Sequence, residues 1–187
     1  TLHPLYLNTD VDRRTQRLIF DPLFTRSAIT GELRSEVLSS VEVRGDRLRV
    51  TVLDGLRFHD GHVATAEDVC FSVRTVLDPQ LPSSLPFRRR GDLVGCEVVS
   101  ASVADLVFRQ VFPDAQARAA VPLLPAHAFE PLPDGEPSVR PIGTGPYRAV
   151  RGRGSVRLTA FDNPHHRAQM REFSLAEGGD PLVPVRT

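Results

Sequence analysis

Residues 53–73 read LDGLRFHDGHVATAEDVCFSV and contain the start of the clearest element in this chain. Thr65 stands where a helix N-cap is expected, and the acidic Asp68 follows three positions on, as in a capping box. From residue 66 to residue 77, apolar side chains recur at helical spacing and form one stripe. Asp78-Pro79 ends the pattern because the residue before a proline avoids the helical region. The sequence therefore predicts a helix over residues 66–77.

A β-hairpin is predicted just upstream of this stretch. Residues 37–43 are mostly extended in character, and residues 48–53 alternate apolar and polar side chains for most of their length. Gly45-Asp46 between them has the composition of a hairpin turn. Farther upstream, the run 12–24, DRRTQRLIFDPLF, predicts a first helix that Asp12 caps and Asp21-Pro22 ends.

Downstream of residue 77, the sequence predicts short strands, one short helix and long loops. The proline-rich segments 78–92 and 121–142 have the composition of irregular surface loops. The final residues, from Asp180-Pro181 onward, are typical of a helix start, and the chain stops there in mid-element. Short strands interleaved with helices predict a mixed α/β (α+β) fold class. The downstream strands are predicted over 97–100, 105–109, 147–150, 156–161 and 171–175, and the short helix over 114–120.

Composition excludes several classes of protein. The 187 residues suit one ordinary domain, and 23 basic residues balance 23 acidic ones. A chain without net charge has no net field to attract nucleic acid or an anionic membrane. Every basic residue is arginine, which excludes a lysine Schiff base and a P-loop. No apolar run approaches the ~18 residues needed to cross a bilayer.

The two cysteines leave two interpretations open. Cys70 falls inside the predicted helix, and Cys96 lies at the start of a predicted strand. Free cysteine is readily buried as a small apolar residue, which favours two buried thiols. A disulfide in an oxidising compartment is the alternative, although two cysteines alone give no pattern from which to argue it.

No metal, cofactor or catalytic site is predicted from the reactive side chains. His59 and His62 lack the i, i+4 helical spacing of a zinc protease and are interpreted as incidental histidines of a surface loop. His165 and His166 are neighbours that point to opposite faces of a strand, and His127 has no partner nearby in the sequence. The chain has no G-x-S-x-G elbow, and it is not predicted to be an enzyme.

Three ordered motifs resemble the peptide-, oligopeptide- and nickel-binding proteins of ABC importers, the bacterial extracellular solute-binding protein family 5. Residues 53–73 are similar to a family signature in which a DG turn leads into a TAeDV helix start. Residues 141–147, PIGTGPY, match the family's P-x-GTGPY/F, and residues 158–164, LTAFDNP, resemble its L-x-x-N-p strand end. Two departures are His62, where the family often has Thr or Lys, and His165-His166, where it has an aromatic residue.

The resemblance implies a fold, a location and partners. The fold is a periplasmic-binding-protein-like II lobe of mixed sheets with flanking helices, truncated before the second lobe. Residues 1–187 correspond to the N-terminal lobe, with residues 37–140 as an inserted subdomain and the second lobe absent. The implied location is periplasmic or extracellular, with a lipid anchor as one variant. The implied partners are a peptide or other small solute, the missing second lobe and an ABC permease in the membrane, but no nucleic acid.

The resemblance also implies where a ligand is held. Two loops are candidates: the one before the first helix, with Tyr6, Asn8, Thr9 and Asp10, and the one with Gly143, Thr144 and Gly145. The carboxylate of Asp10 could hold the N-terminal ammonium of a peptide through a charge-assisted hydrogen bond. The glycines of the second loop suit either close packing of backbone or ligand lining. The alternative function is a sensing or interaction module of a regulatory protein that reuses this lobe. An isolated lobe could also dimerise through its exposed half-cleft.

Overall fold

The computed structural model describes residue 5 and residues 10–79, 92–128, 141–151, 155–163, 165, 168 and 170–176. No helix among these residues is long and apolar enough to cross a membrane. The described strand pairs are all antiparallel. The elements are α1 Asp10–Ile19, β1 Thr25–Arg26, β2 Leu33–Arg34, β3 Leu38–Arg44, β4 Arg47–Val52, α2 Ala66–Leu77, β5 Leu93–Val98, β6 Val103–Phe108, α3 Ala115–Arg118, β7 Tyr147–Arg151, β8 Ser155–Ala160 and β9 Glu172–Ala176.

The larger sheet has the strand order β3-β4-β6-β5 and carries α2 on one face. Strand β4 shows why: Leu48, Val50 and Val52 are buried on alternate positions, while the residues between them face outward. The apolar stripe of α2 is buried against the inward face of this sheet. The predicted hairpin is confirmed, with its turn at Gly45-Asp46.

The smaller sheet has the order β7-β8-β9 and packs on the C-terminal end of α1. Its core is formed by Ile19 and Phe20 from the end of the helix and by Tyr147, Val156 and Leu158 from the strands. The hairpin predicted over 147–150 and 156–161 is confirmed, as is the strand predicted over 171–175. The helix predicted from residue 180 lies outside the described residues.

Helix α2 spans the residues predicted from the sequence, Ala66–Leu77. The backbone N–H and the hydroxyl of Thr65 both donate to Oδ2 of Asp68, at 2.8 and 2.9 Å. The other oxygen of Asp68, Oδ1, accepts the backbone N–H of Ala126 at 2.9 Å. The carboxylate therefore caps its own helix and also fixes a loop 58 residues further along the chain.

A disulfide joins Cys70 of α2 to Cys96 of β5, so the favoured interpretation of two free buried thiols is wrong. Packing of α2 on β5 brings the two Cα atoms to 5.0 Å, within the range that a disulfide requires. The sequence could not show this because the pairing depends on how the helix lies on the sheet. The bond is typical of proteins that fold in an oxidising compartment.

Two strand boundaries differ from the prediction. Strand β5 starts at Leu93 and ends at Val98, whereas the prediction was 97–100. Gly95 lies at a bulge in the pairing of β5 with β6. The bulge interrupts the alternation of apolar and polar side chains from which a strand is predicted. Residues 99–102 instead form the turn that the backbone N–H groups of Val99 and Ser100 close on the carbonyl of Val103, so β6 starts at Val103 rather than at residue 105.

Candidate functional site

The GTG loop, residues 143–145, lies directly against the C-terminal end of α1. The backbone N–H of Gly145 donates to the carbonyl oxygen of Ile19 at 2.9 Å. A Cβ atom added to Gly143 would lie 2.0 Å from that oxygen, and one added to Gly145 would lie 2.7 Å from the carbonyl oxygen of Leu18. Both glycines are therefore required because backbone meets backbone at this point.

Thr144, between the two glycines, is fully buried and joins the motifs at either end of the chain. Its hydroxyl donates to Oδ2 of Asp21 at 2.8 Å, just after α1. Its carbonyl oxygen accepts Nδ2 of Asn163 at 2.9 Å, and Asn163 belongs to the motif LTAFDNP. Asp21, Thr144 and Asn163 come from three separate stretches of the sequence. Together they form one hydrogen-bonded cluster of buried polar side chains, here called the buried junction.

His59, which precedes the turn at Asp60-Gly61, forms hydrogen bonds with the same loop. Its Nε2 lies 2.9 Å from the carbonyl oxygen of Gly145, and its Nδ1 lies 3.2 Å from the backbone nitrogen of Gly143. Since a backbone N–H can only donate, these partners assign the proton of the neutral ring to Nε2. The backbone N–H of His59 also donates to the carbonyl of Gly143 at 2.9 Å. The interpretation of His59 as an incidental surface histidine is wrong.

The ring of His59 is held in the neutral form by its surroundings. Burial outweighs the hydrogen bonds to backbone carbonyls and lowers the pKa of His59. The ring of Phe161 meets it edge-on, with centroids 5.0 Å apart. Arg148 donates to the carbonyl of His59 and lies over the ring of Phe161, so its cation adds a smaller lowering effect on the histidine pKa.

Asp10 and the GTG loop, two parts of the predicted ligand site, lie at opposite ends of helix α1. Asp10 is its first residue, and the GTG loop packs at its last turn, about 14 Å away along the axis. Residues 143–145 are buried within the chain. Tyr6, Asn8 and Thr9 lie outside the described residues, and the structure describes the backbone of Asp10 as helical. The ligand-binding role of these residues stays a prediction.

His127 has partners that the sequence did not reveal. Its Nε2 lies 2.6 Å from Oδ2 of Asp60, and its ring stacks on that of His62 with centroids 3.8 Å apart. The prediction that it stands alone is wrong, because the loop around residue 127 folds back over a turn that lies 67 residues earlier.

A sequence profile decides the family of this chain. Residues 32–176 match the profile described as bacterial extracellular solute-binding proteins, family 5 Middle. The chain belongs to this family. The match covers the main sheet, α2, the His59 turn, the GTG loop, Asn163 and β9, and it starts after α1 and Asp21. The family's description as extracellular agrees with the predicted periplasmic or extracellular location.

Three relatives show how the family 5 chain compares with known proteins. Protein XP55 of Streptomyces lividans is 31% identical over 176 residues, which are 88% of this chain and 31% of XP55. The ABC transporter substrate-binding protein CtaP of Listeria monocytogenes is 25% identical, with a TM-score of 0.74 over 94% of this chain and 37% of CtaP. The oligopeptide-binding protein AppA of Bacillus subtilis, solved with a nonapeptide, is 20% identical, with a TM-score of 0.71 over 85% of this chain and 34% of AppA.

These matches confirm the predicted fold class for the family 5 chain, a periplasmic-binding-protein-like lobe of sheets and helices. The chain spans about a third of the length of the relatives it matches. CtaP and AppA are described as binding proteins, and the family is non-enzymatic.

Proposed function

We propose that this chain is the N-terminal lobe of the solute-capturing component of an ABC importer, and that its solute is an oligopeptide. The observation that carries the proposal is the family match over residues 32–176, on a fold that overlays 94% of the chain on a substrate-binding protein. In such a component, two lobes close about a hinge and bury the ligand between them. The second lobe and the membrane permease are the partners of this proposal, and residues 37–140 are the inserted subdomain.

The buried junction supports separate roles for the two predicted ligand-binding segments, one in ligand contact and one in supporting helix α1. Gly143 and Gly145 pack against the backbone at the end of α1. The ring of His59 holds both glycines, and the hydroxyl of Thr144 bonds to Asp21 just after the helix. A rigid base of this kind fixes the direction of α1. We assign ligand contact to Tyr6, Asn8, Thr9 and Asp10, and we assign to the loop of Gly143, Thr144 and Gly145 the support of the helix that presents them.

An oligopeptide suits this arrangement for chemical reasons. A peptide offers an N-terminal ammonium, which the carboxylate of Asp10 can bind by a charge-assisted hydrogen bond. A peptide also offers backbone N–H and C=O groups, which a binding protein can contact whatever the side chains of the peptide are. AppA, which shares the fold, was solved with a nonapeptide. The disulfide supports export to the periplasm or cell surface, because such bonds persist in oxidising compartments.

The test uses the complete two-lobed protein and isothermal titration calorimetry with a peptide of free N-terminus. Asp10→Asn removes the proposed partner of the ammonium and is expected to weaken binding by about tenfold or more. Asp12→Asn is the matched control, because it removes the same charge at a helix position about 200° around the axis from residue 10. If both variants bind the peptide as tightly as the wild type does, Asp10 does not contact the ligand.

A further inference from the structure

Two segments that are distant in the sequence bring Asp60, His62 and His127 together. The first is the turn at residues 57–63, which is closed by hydrogen bonds from the backbone N–H of Phe58 to the carbonyl of His62 and from the N–H of Gly61 to the carbonyl of Phe58, both 2.9 Å. Gly61 adopts a φ of 92°, which side-chain-bearing residues rarely adopt. The backbone conformation of the turn at residues 57–63 is therefore fixed by contacts within the chain and does not depend on a ligand.

The second segment is the loop that carries His127, and it is also anchored. The backbone N–H of Ala126 donates to the carboxylate of Asp68 at 2.9 Å, and the N–H of Ala128 donates to the carbonyl of Pro125 at 3.1 Å. Both residues next to His127 are thus held by backbone hydrogen bonds. The imidazole itself contacts two rings, a T-shaped contact with buried Phe58 at 5.7 Å and a stacked contact with His62 at 3.8 Å between centroids.

The three side chains form a set of metal-ligand type. One atom from each, a carboxylate oxygen and two imidazole nitrogens, lies within 4.8 Å of the other two. Oδ1 of Asp60 accepts the backbone N–H of His62 at 3.1 Å, which orients the carboxylate so that Oδ2 faces His127 at 2.6 Å. The side chains of Asp60 and His127 are 29% and 27% exposed, so an ion can reach them from solvent.

We propose that Asp60, His62 and His127 bind one divalent transition-metal ion of the class to which Zn²⁺ and Ni²⁺ belong. Imidazole and carboxylate are ligands that both ions accept, with bond lengths of about 2.0–2.2 Å. Three ligands on one ion lie about 3–3.5 Å apart. The widest pair must therefore close by up to roughly 1–2 Å from its 4.8 Å limit, and the exposed His62 ring has to rotate out of its stack on His127 to bind the ion. Binding replaces the hydrogen bond between His127 and Asp60, and solvent or a bound solute completes the coordination.

Each oxygen of the Asp60 carboxylate has a partner within the cluster: Nε2 of His127 at Oδ2 and the backbone N–H of His62 at Oδ1. Arg57 is the neighbouring cation, and its guanidinium is turned to the carbonyl of Gly61 at 2.8 Å.

Calorimetry tests the proposal on the 187-residue chain, purified without a polyhistidine tag and freed of metal by a chelator. ZnCl₂ and NiCl₂ are titrated separately at pH 7.5. The expected result is one equivalent of bound ion, with affinity at least about tenfold lower in each of His62→Ala, His127→Ala and Asp60→Asn. His165→Gln, which removes a histidine outside the cluster, is expected to leave the affinity unchanged.

Nuclear magnetic resonance of the imidazole nitrogens keeps the proposal testable if a variant does not fold. Substoichiometric Zn²⁺ is expected to move the ring signals of His62 and His127 in the wild-type chain and to leave those of His59 in place. The proposal is overturned if no binding is seen up to about 1 mM metal, a concentration that corresponds to a binding free energy of only about −4 kcal/mol. It is equally overturned if the two alanine variants bind as tightly as the wild type, or if the moving signals belong to other histidines.

Discussion

Nε2 of His59 lies 2.9 Å from the carbonyl oxygen of Gly145, although 86 residues separate them along the chain. The same ring accepts the backbone N–H of Gly143, so one imidazole holds both glycines of the GTG loop. The loop in turn presses on the backbone of α1. This contact links the signature that decides the fold to the motif PIGTGPY.

The pH dependence of stability follows from the buried ring of His59. The folded chain holds the ring neutral with a lowered pKa, whereas the unfolded chain protonates it at the ordinary pKa of about 6.5. The unfolded state therefore binds more protons below that pH, and stability falls as pH drops from about 6.5 toward the folded pKa. The slope reaches at most ~1.4 kcal/mol per pH unit.

Urea denaturation between pH 7.5 and pH 5 measures this slope. His59→Gln keeps a side-chain N–H for Gly145 but cannot titrate, so its stability should depend less on pH than that of the wild type. His62→Gln, which removes an exposed histidine, should keep the wild-type slope. Parallel pH profiles for His59→Gln and the wild type would show that His59 does not govern acid stability.

Gly143→Ala tests the close approach of the GTG loop to α1. The added Cβ would lie 2.0 Å from the carbonyl oxygen of Ile19, and that backbone cannot move without shifting the helix. We expect a loss of about 3 kcal/mol in the free energy of unfolding, measured by urea denaturation. Gly95→Ala is the matched control, because nothing lies within 4 Å of its added Cβ and its φ is not positive. Its effect should stay within about 0.5 kcal/mol, and equal losses in the two variants would refute the packing role.

The disulfide between Cys70 and Cys96 closes a loop across the helix and the sheet, with a sequence separation of 26 residues. Removing it should cost about 3 kcal/mol, since the bond restricts the unfolded chain. Thermal unfolding with and without dithiothreitol measures this loss. The double variant Cys70→Ala/Cys96→Ala should be insensitive to the reductant. A wild-type protein that melts at the same temperature in both conditions contradicts the predicted contribution.

Asp68→Ala should destabilise the chain by about 3 kcal/mol in chemical denaturation. The carboxylate accepts three hydrogen bonds, two from Thr65 and one from the N–H of Ala126, and it is buried. Glu67→Ala removes an acidic residue of the same helical turn whose ion pair with Arg74 is exposed. That control should change stability by less than about 1 kcal/mol. If both variants lose the same amount, the capping and anchoring role of Asp68 is wrong.

The sequence predicted elements whose signals are local. Helix α2 was predicted with its observed bounds because its cap, stripe and stop all lie within 15 positions of one another. The contacts of His59, His127 and Cys70 could not be predicted, because their partners come from segments that meet only in the folded chain. The sequence also left open whether Gly143 and Gly145 pack against backbone or line a ligand. A glycine in a loop is compatible with both roles, and the neighbouring backbone of α1 is seen only in the folded chain.

The most direct test of solute capture compares the complete two-lobed protein with the 187-residue chain in calorimetric titrations against one oligopeptide library. If the chain is one half of a clamp, the complete protein binds a peptide from the library with micromolar affinity or better, at about −8 kcal/mol. The isolated chain then binds the same peptide at least about a hundredfold more weakly, because half of the contacts are missing. Equal affinity of the two proteins, or a complete protein that binds no peptide, contradicts the account.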